Sequence, residues 1–333
     1  MADMTVLDRD PSSSRDHAAV ERAQMFLIGG LALALVLVAL VLVLNSAIYT
    51  ENLATRGSGG AGVDATLQVR ADVQQGMSDI VEQSNRDHAA YMDQLTAIQA
   101  GIPALESLFM RYDASDGRWI RLQYVAGSDE PGMRIHQDTV ADFQADADGD
   151  SIDDPTWTLV EQTPAVRNFQ VTITNRTALV GTETDAFRIV FDQDATTTGD
   201  EWTLLLYNDS GATVVAVDGP EGSLGECHDT TGTGTTVDVT AATVDGERCP
   251  ALEFLEDIPA DFDLRYEHGG NATGTYEVTG KEGESTSRPS SPYLTGNPVA
   301  NDSVYGVTVH LYTRSSDITY ETDVRVAPGE QDA

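Results

Sequence analysis

Residues 186–217 read AFRIVFDQDATTTGDEWTLLLYNDSGATVVAV, and this stretch indicates how most of the chain folds. Large apolar side chains occupy every second position in two runs: Phe187, Ile189, Phe191 and then Trp202, Leu204, Leu206. A period of two is typical of strands that bury one face. A turn signal at 208–211 (NDSG) separates the second run from a third, TVVAV. The stretch therefore predicts short β-strands joined by turns.

Similar runs recur on both sides of this stretch. They lie at 119–125, 157–162, 169–174, 263–268, 275–279, 304–313 and 318–327. A parallel sheet would need crossover helices between such runs, and the sequence here carries no helical pattern of useful length. We therefore expect a mainly β fold, in which residues 111–333 form an antiparallel β-sandwich-like domain.

Residues 63–110 have helical spacing instead. Apolar side chains fall near one face: Val63, Leu67, Val69, Val73, Met77, Ile80, Val81, Tyr91, Leu95 and Ile98. Gly101 and Pro103 predict a break in this helix. We expect a helical stalk, and the alternative is a helix packed on the β domain. The Gly-rich stretch 50–62 is expected to be a joint before it.

The segment 25–49 reads MFLIGGLALALVLVALVLVLNSAIY and contains no charged residue. At 1.5 Å per residue a helix of this length reaches roughly 37 Å, whereas the hydrocarbon core of a bilayer is about 30 Å thick. It predicts a single transmembrane helix that is retained, and the alternative is a buried core helix. Arg9, Arg15 and Arg22 precede the span, which favours a cytoplasmic N-terminus for residues 1–24 and an extracellular β domain.

The charge balance is strongly acidic, with 19 basic and 54 acidic residues and a formal net charge of −35. Nucleic acid is excluded as a partner because phosphate binding needs a cationic surface. Lys281 is the only lysine, so arginine supplies the other basic side chains. At molar salt the Debye length falls to roughly 3 Å, which screens the repulsion between so many carboxylates. The composition therefore favours a halophilic protein.

Two further features fit an extracellular location. Cys227 and Cys249 are the only cysteines and predict a disulfide, with two buried thiols as the alternative. Four asparagines match the glycan acceptor pattern: Asn175, Asn208, Asn271 and Asn301.

Residues 146–154 read DADGDSIDD and contain the best candidate for a metal site. Its candidate ligands are Asp146, Asp148, Asp150 and Asp154, at positions 1, 3, 5 and 9 of a calcium-loop register. The stretch resembles the Asp-rich calcium loops of thrombospondin type-3 and dockerin-like repeats, although Ser151 and Trp157 depart from their pattern. Ca²⁺ is the only cofactor that the sequence suggests. The alternative is a solvated acidic linker between strands.

Catalytic motifs are weak. The block 149–152 (GDSI) echoes GDSL-type hydrolases, but it follows acidic residues rather than an apolar strand. None of the histidines late in the chain has the required Asp three positions before it. We therefore expect no catalytic residues and a protein that is not an enzyme.

Arg22, Ala23 and Gln24 stand directly before the apolar helix. This start resembles archaeal type IV pilin-like proteins and uncharacterised membrane-anchored proteins of haloarchaea. The resemblance implies cleavage between Ala23 and Gln24, partners that are pilin-like or other surface proteins, and helices that pack in a filament or its base. Ile28 departs from it, because many pilins carry Glu there. Two functions remain open: a structural or accessory component of a pilus-like apparatus, or a stand-alone tethered module that binds an ion, a glycan or a protein.

Overall fold

The structure is a computed structural model that describes residues 61–113, 117–146, 153–193, 199–259, 261–283, 298–316 and 318–330. The chain divides into two compact units, Met1–Leu67 and Gln68–Ala333. The predicted cytoplasmic segment 1–24 and the predicted span 25–49 lie outside the described residues, as does the predicted joint apart from its last two residues. Neither of the two long helices that the structure describes is apolar enough over a sufficient length to span a membrane.

Within the described residues, two helices precede fifteen strands. The helices are α1 (Ala61–Asp87) and α2 (Tyr91–Asp113). The strands are β1 (Trp119–Tyr124), β2 (Glu130–Asp142), β3 (Trp157–Thr163), β4 (Val166–Ile173), β5 (Phe187–Asp192), β6 (Glu201–Asp209), β7 (Ala212–Gly219), β8 (Gly222–Asp229), β9 (Thr235–Asp238), β10 (Thr243–Val244), β11 (Glu247–Arg248), β12 (Phe262–Glu267), β13 (Thr273–Lys281), β14 (Val299–Arg314) and β15 (Thr319–Val326). A 3-10 helix, Pro250–Asp257, follows β11.

The strands form two antiparallel sheets. One has the order β3-β12-β5-β6-β7-β8, and the other has the order β1-β14-β2-β13-β4-β9-β10-β11 with β15 also paired to β14. The expectation of a mainly β, antiparallel, sandwich-like fold is confirmed. The three runs in 186–217 are consecutive neighbours, because β5 pairs with β6 and β6 pairs with β7.

Side chains from both sheets share one apolar core, which we call the sandwich core. Phe187, Ile189 and Phe191 are fully buried there, so the period-two pattern places one face inward as predicted. Phe143, Phe187, Tyr266 and Tyr276 pack ring against ring, with centroids 5.0–6.1 Å apart. Such pairs stabilise a core beyond the area that they bury.

A second apolar cluster, which we call the helix-layer core, lies between the two helices and strands β1, β14 and β15. Residues 299–306 of β14 pair with β2, whereas the later part of β14 pairs with β1 and β15. The helices contribute Val69, Val73, Met77, Val81, Leu95, Ile98, Ile102 and Leu105. From Gln68 onward the helical segment therefore packs on the β-sheet. This is the alternative that the sequence left open, and it replaces the expected stalk.

The predicted break at Gly101 and Pro103 is wrong. α2 runs through both residues, and the helices separate at 88–90 instead. A Cβ on Gly101 would lie 2.9 Å from Ile80 Cγ2, and one on Gly76 would lie 2.7 Å from Leu105 Cδ1. The glycines therefore let two antiparallel helices approach closely. Burial of the shared apolar face outweighs the hydrogen bond that Pro103 cannot make.

Several strands were missing from the sequence-based prediction, above all β2 and β8. β2 reads EPGMRIHQDTVAD, in which Pro131 and Gly132 look like a turn and polar residues interrupt the alternation. Gly132 is needed there because a Cβ would lie 2.7 Å from the carbonyl oxygen of Gly280. β8 is an exposed edge strand with few apolar residues to mark it.

Candidate functional site

The acidic loop connects β2 to β3. An isolated bridge between Ala145 and Asp154 closes its base, where Asp154 N donates to Ala145 O at 2.8 Å. Asp146 therefore begins the loop and Asp154 ends it. Asp148 and Asp150 lie outside the described residues. Within the described residues no three acidic, histidine or cysteine side chains form a group that could hold a metal ion, so the calcium site stays a prediction.

The disulfide is present. Cys227 on β8 and Cys249 before the 3-10 helix are bonded, with their Cα atoms 6.0 Å apart. Cys249 is fully buried, and its N–H donates to Ala242 O at 2.8 Å. The bond ties an edge strand of one sheet to the segment that follows β11 of the other.

A buried ion pair lies near the disulfide. Arg176 Nη2 donates to Asp229 Oδ2 at 2.9 Å, and both side chains are almost fully buried. Burial alone would raise the pKa of Asp229, but hydrogen bonds from Thr235 and Thr231 lower the pKa to about 2. Removal of either partner would leave a buried charge, so this pair fixes the loop structure around it.

The four candidate glycan acceptors differ in how their amides are used. Asn175 is exposed and accepts hydrogen bonds from Thr177 through Oδ1. Asn208 Nδ2 donates to Arg176 O at 3.1 Å, and Asn271 Nδ2 donates to Asp185 O at 2.8 Å. Asn301 lies within β14, opposite Arg134. Asn175 is therefore the acceptor most compatible with a glycan in the folded state.

The structure adds a site that the sequence did not predict, at the tip of the helical hairpin. Asn85 Nδ2 donates to Val304 O at 2.9 Å, and Val304 N donates to Asn85 Oδ1 at 3.0 Å and to Gln94 Oε1 at 3.1 Å. Gln94 Nε2 also donates to His88 O at 2.7 Å and to Asp302 O at 2.6 Å. Asn85, Gln94 and Val304 form what we call the amide junction. These side chains supply the hydrogen bonds that another strand would otherwise make to Val304.

A buried guanidinium supports the amide junction from the strand side. Arg167 on β4 is 1% exposed, and its Nη2 donates to Val304 O at 3.1 Å. Its Nη1 donates to Pro328 O at 2.9 Å, and its Cζ lies 5.4 Å from the centroid of the Tyr305 ring. Burial lowers the pKa of Arg167 to about 10, so the side chain remains protonated at neutral pH. It joins β4, β14 and the C-terminal segment.

A charged network extends from Tyr305 to the surface. Arg325 donates to Glu130 through Nε and Nη2 at 3.0 and 2.8 Å and to Glu330 at 3.2 Å. Tyr305 O–H donates to Glu330 at 3.0 Å. The lone lysine, Lys281, lies 3.1 Å from Glu130 and 5.6 Å from the Tyr305 ring centroid. Burial alone would raise the pKa of Glu130, but Arg325 and Lys281 hold it below its usual value.

A polar cavity of about 170 Å³ opens beside the junction and is lined by Glu82, Arg86, Asn168, Gln170, Asp238 and Glu277. Its carboxylates are tied into the fold. Asn168 donates to Glu82 at 3.0 Å, and Arg134 donates to both oxygens of Glu277 at 2.8 and 2.9 Å. These groups can hold α1 against the sheet, and their pairing explains why the cavity is lined by opposite charges.

One sequence signal could have located the amide junction. Asn85 lies four residues after Val81, on the otherwise apolar face of the predicted helix, and Gln94 directly precedes Leu95 on the next one. A polar residue on a buried face needs a buried partner. Comparisons of the chain with protein-family models, with curated proteins and with solved structures give no match.

Proposed function

We propose that the chain is a membrane-anchored cell-surface protein of a halophile, with a structural or accessory role in a pilus-like surface apparatus. In this proposal residues 25–49 anchor the chain and pack with neighbouring helices, the N-terminus is cytoplasmic, and the β-rich unit faces the exterior. The role is structural rather than catalytic.

The amide junction is the observation that carries the proposal. A protein that only tethers a β domain needs no rigid connection between the helices and the sheet. Here two buried amides bond the helical hairpin to the backbone N–H and C=O of Val304 on β14, and a buried guanidinium from β4 donates to the same C=O. Force or orientation transmitted along α1 would therefore reach the sheet directly. Such coupling makes the helical hairpin from Gln68 onward and the sheet one body, which suits a component whose unit packs against neighbouring subunits.

A stand-alone binding module is the second candidate function. A cavity of about 430 Å³ on the six-stranded sheet favours it, because four carboxylates line the cavity together with Arg188. The four are Glu183, Glu201, Asp218 and Glu267. An acidic cavity of this size suits a cationic ligand. This function would use the same anchor and would not require assembly.

Mass spectrometry of the N-terminus, on membrane fractions and on filaments sheared from cells, tests the proposal. We expect a mature protein that begins at Gln24 and is recovered in the filament fraction. Material found only in membranes, with an intact Met1 or Ala2, would favour the binding module. A C-terminal unit that resists protease added to whole cells would contradict both.

A further inference from the structure

The loop that follows β4 presents one of the four glycan acceptor patterns at the surface. Asn175, Arg176 and Thr177 form this pattern, and we call them the acceptor triplet. The first and third side chains are exposed, whereas Arg176 is only 4% exposed. An enzyme that attaches a glycan reads the asparagine and the hydroxyl residue, and the middle residue can be of any type except proline. The triplet therefore turns outward the two side chains that such an enzyme reads.

The buried arginine anchors the acceptor triplet. Its Nη2 donates to Asp229 Oδ2 at 2.9 Å, and its backbone N–H donates to Thr233 O at 3.0 Å. Asp229 Oδ2 also accepts a hydrogen bond from the Thr235 hydroxyl at 2.7 Å. These bonds connect the loop after β4 to the segment between β8 and β9. The triplet is therefore held in one conformation, although two of its three side chains face solvent.

The side-chain amide of Asn175 has a defined orientation. Thr177 N and Thr177 Oγ1 donate to Asn175 Oδ1 at 3.1 and 2.8 Å. A backbone N–H can only donate, so the amide atom that faces it is the oxygen. Nδ2 lies on the other side of the amide, and within the described part of the chain it has no hydrogen-bond acceptor. Nδ2 is the atom to which an N-linked glycan is attached, so the fold leaves the reacting atom uncommitted.

Two of the other acceptors have amides that the fold already uses. Asn208 Nδ2 donates to Arg176 O at 3.1 Å, and Asn208 Oδ1 accepts from Gly211 N at 3.2 Å. Asn271 Nδ2 donates to Asp185 O at 2.8 Å. A glycan on either nitrogen would compete with these hydrogen bonds. Both asparagines are also only partly exposed.

The fourth acceptor fails at its hydroxyl residue. Asn301 lies within β14 and pairs with Arg134 of β2, and Ser303 is fully buried. An enzyme could reach the Ser303 hydroxyl only if β14 separated from its neighbours. Among the four patterns, all of which lie in described residues, the acceptor triplet alone combines an exposed asparagine, an exposed hydroxyl residue and an uncommitted Nδ2.

We propose that Asn175 carries an N-linked glycan and that the folded chain selects it over the other three acceptors. The glycosyl donor is a sugar chain joined through phosphate to a membrane lipid. Nδ2 attacks the anomeric carbon of the sugar and forms a carbon–nitrogen bond. The bond from that carbon to the phosphate oxygen breaks, the lipid phosphate leaves with the electron pair, and Nδ2 gives one proton to a base of the transferase.

This inference rests on the exterior location in the proposed function, because N-linked glycans are found on surface loops of exported proteins. It adds a covalent modification at one defined position of the β-rich unit. The glycan would stand on a loop that is fixed by a buried ion pair rather than on a sheet face.

Mass spectrometry of peptides from the full chain, purified from the cells that make it, tests the proposal. The peptide that contains Asn175 should carry the mass of a glycan. Thr177→Ala should abolish that mass, and Thr177→Ser should retain it because serine keeps the hydroxyl group. Thr174→Ala is the matched control and should leave the modification unchanged, because Thr174 is exposed and adjacent but lies outside the pattern.

The peptides that contain Asn208, Asn271 and Asn301 should be unmodified. A glycan on any of them would overturn the selection by the fold, because the acceptor would then be chosen before folding. Protease added to whole cells separates the two remaining outcomes. An unmodified Asn175 in a chain that the protease cleaves would overturn the glycan proposal and leave the exterior location intact. An unmodified Asn175 in a chain that the protease does not reach would contradict the location and the glycan together.

Discussion

The sandwich core and the helix-layer core are held together in different ways. The sandwich core is rich in aromatic rings and is reinforced by the Cys227–Cys249 disulfide. The helix-layer core is built mainly from valine, leucine and isoleucine, and buried polar bonds at the amide junction fix its position on β14. Apolar packing alone would let the helices shift along the sheet, whereas directional hydrogen bonds fix one position of the helices on β14. The junction therefore makes the helices part of the β-rich unit.

Substitutions that create a cavity in either core should lower the free energy of unfolding more than any other change considered. Phe187→Ala in the sandwich core should lower the free energy of unfolding by about 3–5 kcal/mol, and Ile98→Ala in the helix-layer core by about 2–5 kcal/mol, because each removes a fully buried side chain. Urea unfolding followed by circular dichroism and by tryptophan emission should show one transition in both variants. A separate helical transition in Ile98→Ala would mean that the two cores unfold independently.

Loss of the disulfide should weaken the sandwich. Replacement of Cys227 and Cys249 by alanine should lower the free energy of unfolding by about 3 kcal/mol, because a loop of 22 residues is no longer closed in the unfolded chain. Thermal unfolding of the double variant measures the change. Reduction of the wild type should produce a similar loss, and an unchanged stability would show that the bond does not constrain the unfolded chain.

Loss of an amide at the junction should have a smaller effect. Asn85→Ala leaves buried groups of Val304 with fewer partners and should cost about 1–3 kcal/mol. Gln83→Ala is the matched control, because Gln83 is exposed on the same helix and donates only to Asp87. Urea unfolding compares the two variants. Equal stabilities would contradict the assigned role of the junction.

The smallest effect concerns His310 on β14. The hydrogen bond to Asp323 and the nearby Glu321 carboxylate raise its pKa above 6.5. Because the folded-state pKa is raised, the stabilisation is complete below about pH 6.5 and is lost as the pH rises through the raised value. An NMR titration of the imidazole measures that pKa. His310→Gln should remove the corresponding pH dependence of stability, and an unshifted titration would contradict the contact.

The sequence predicted the sandwich better than the helix layer, and the reason is physical. Alternation in Phe187, Ile189 and Phe191 reports burial directly, because side chains in a strand point to opposite faces. β2 escaped detection because its contacts depend on Gly132, whose lack of a side chain is what the fold needs.

The packing of the helices was harder to predict, because it depends on contacts between residues that are distant in the sequence. Pro103 and Gly101 favour a break locally, but the fit of Gly101 against Ile80 reverses that preference. The amide junction joins Asn85 to Val304 across 219 residues, so the local pattern can mark Asn85 as a polar residue on a buried face but cannot identify its partner. The paired cysteines were predictable because the chain has only two.

Native-state hydrogen exchange on the full chain tests most directly whether the helices and the sandwich form one body. The account predicts that core amides of α2 around Ile98 open with the same free energy as those of β5 around Ile189. The Val304 amide should be protected to the same degree. Exchange of the helical amides at a clearly lower free energy than the strand amides would contradict the account.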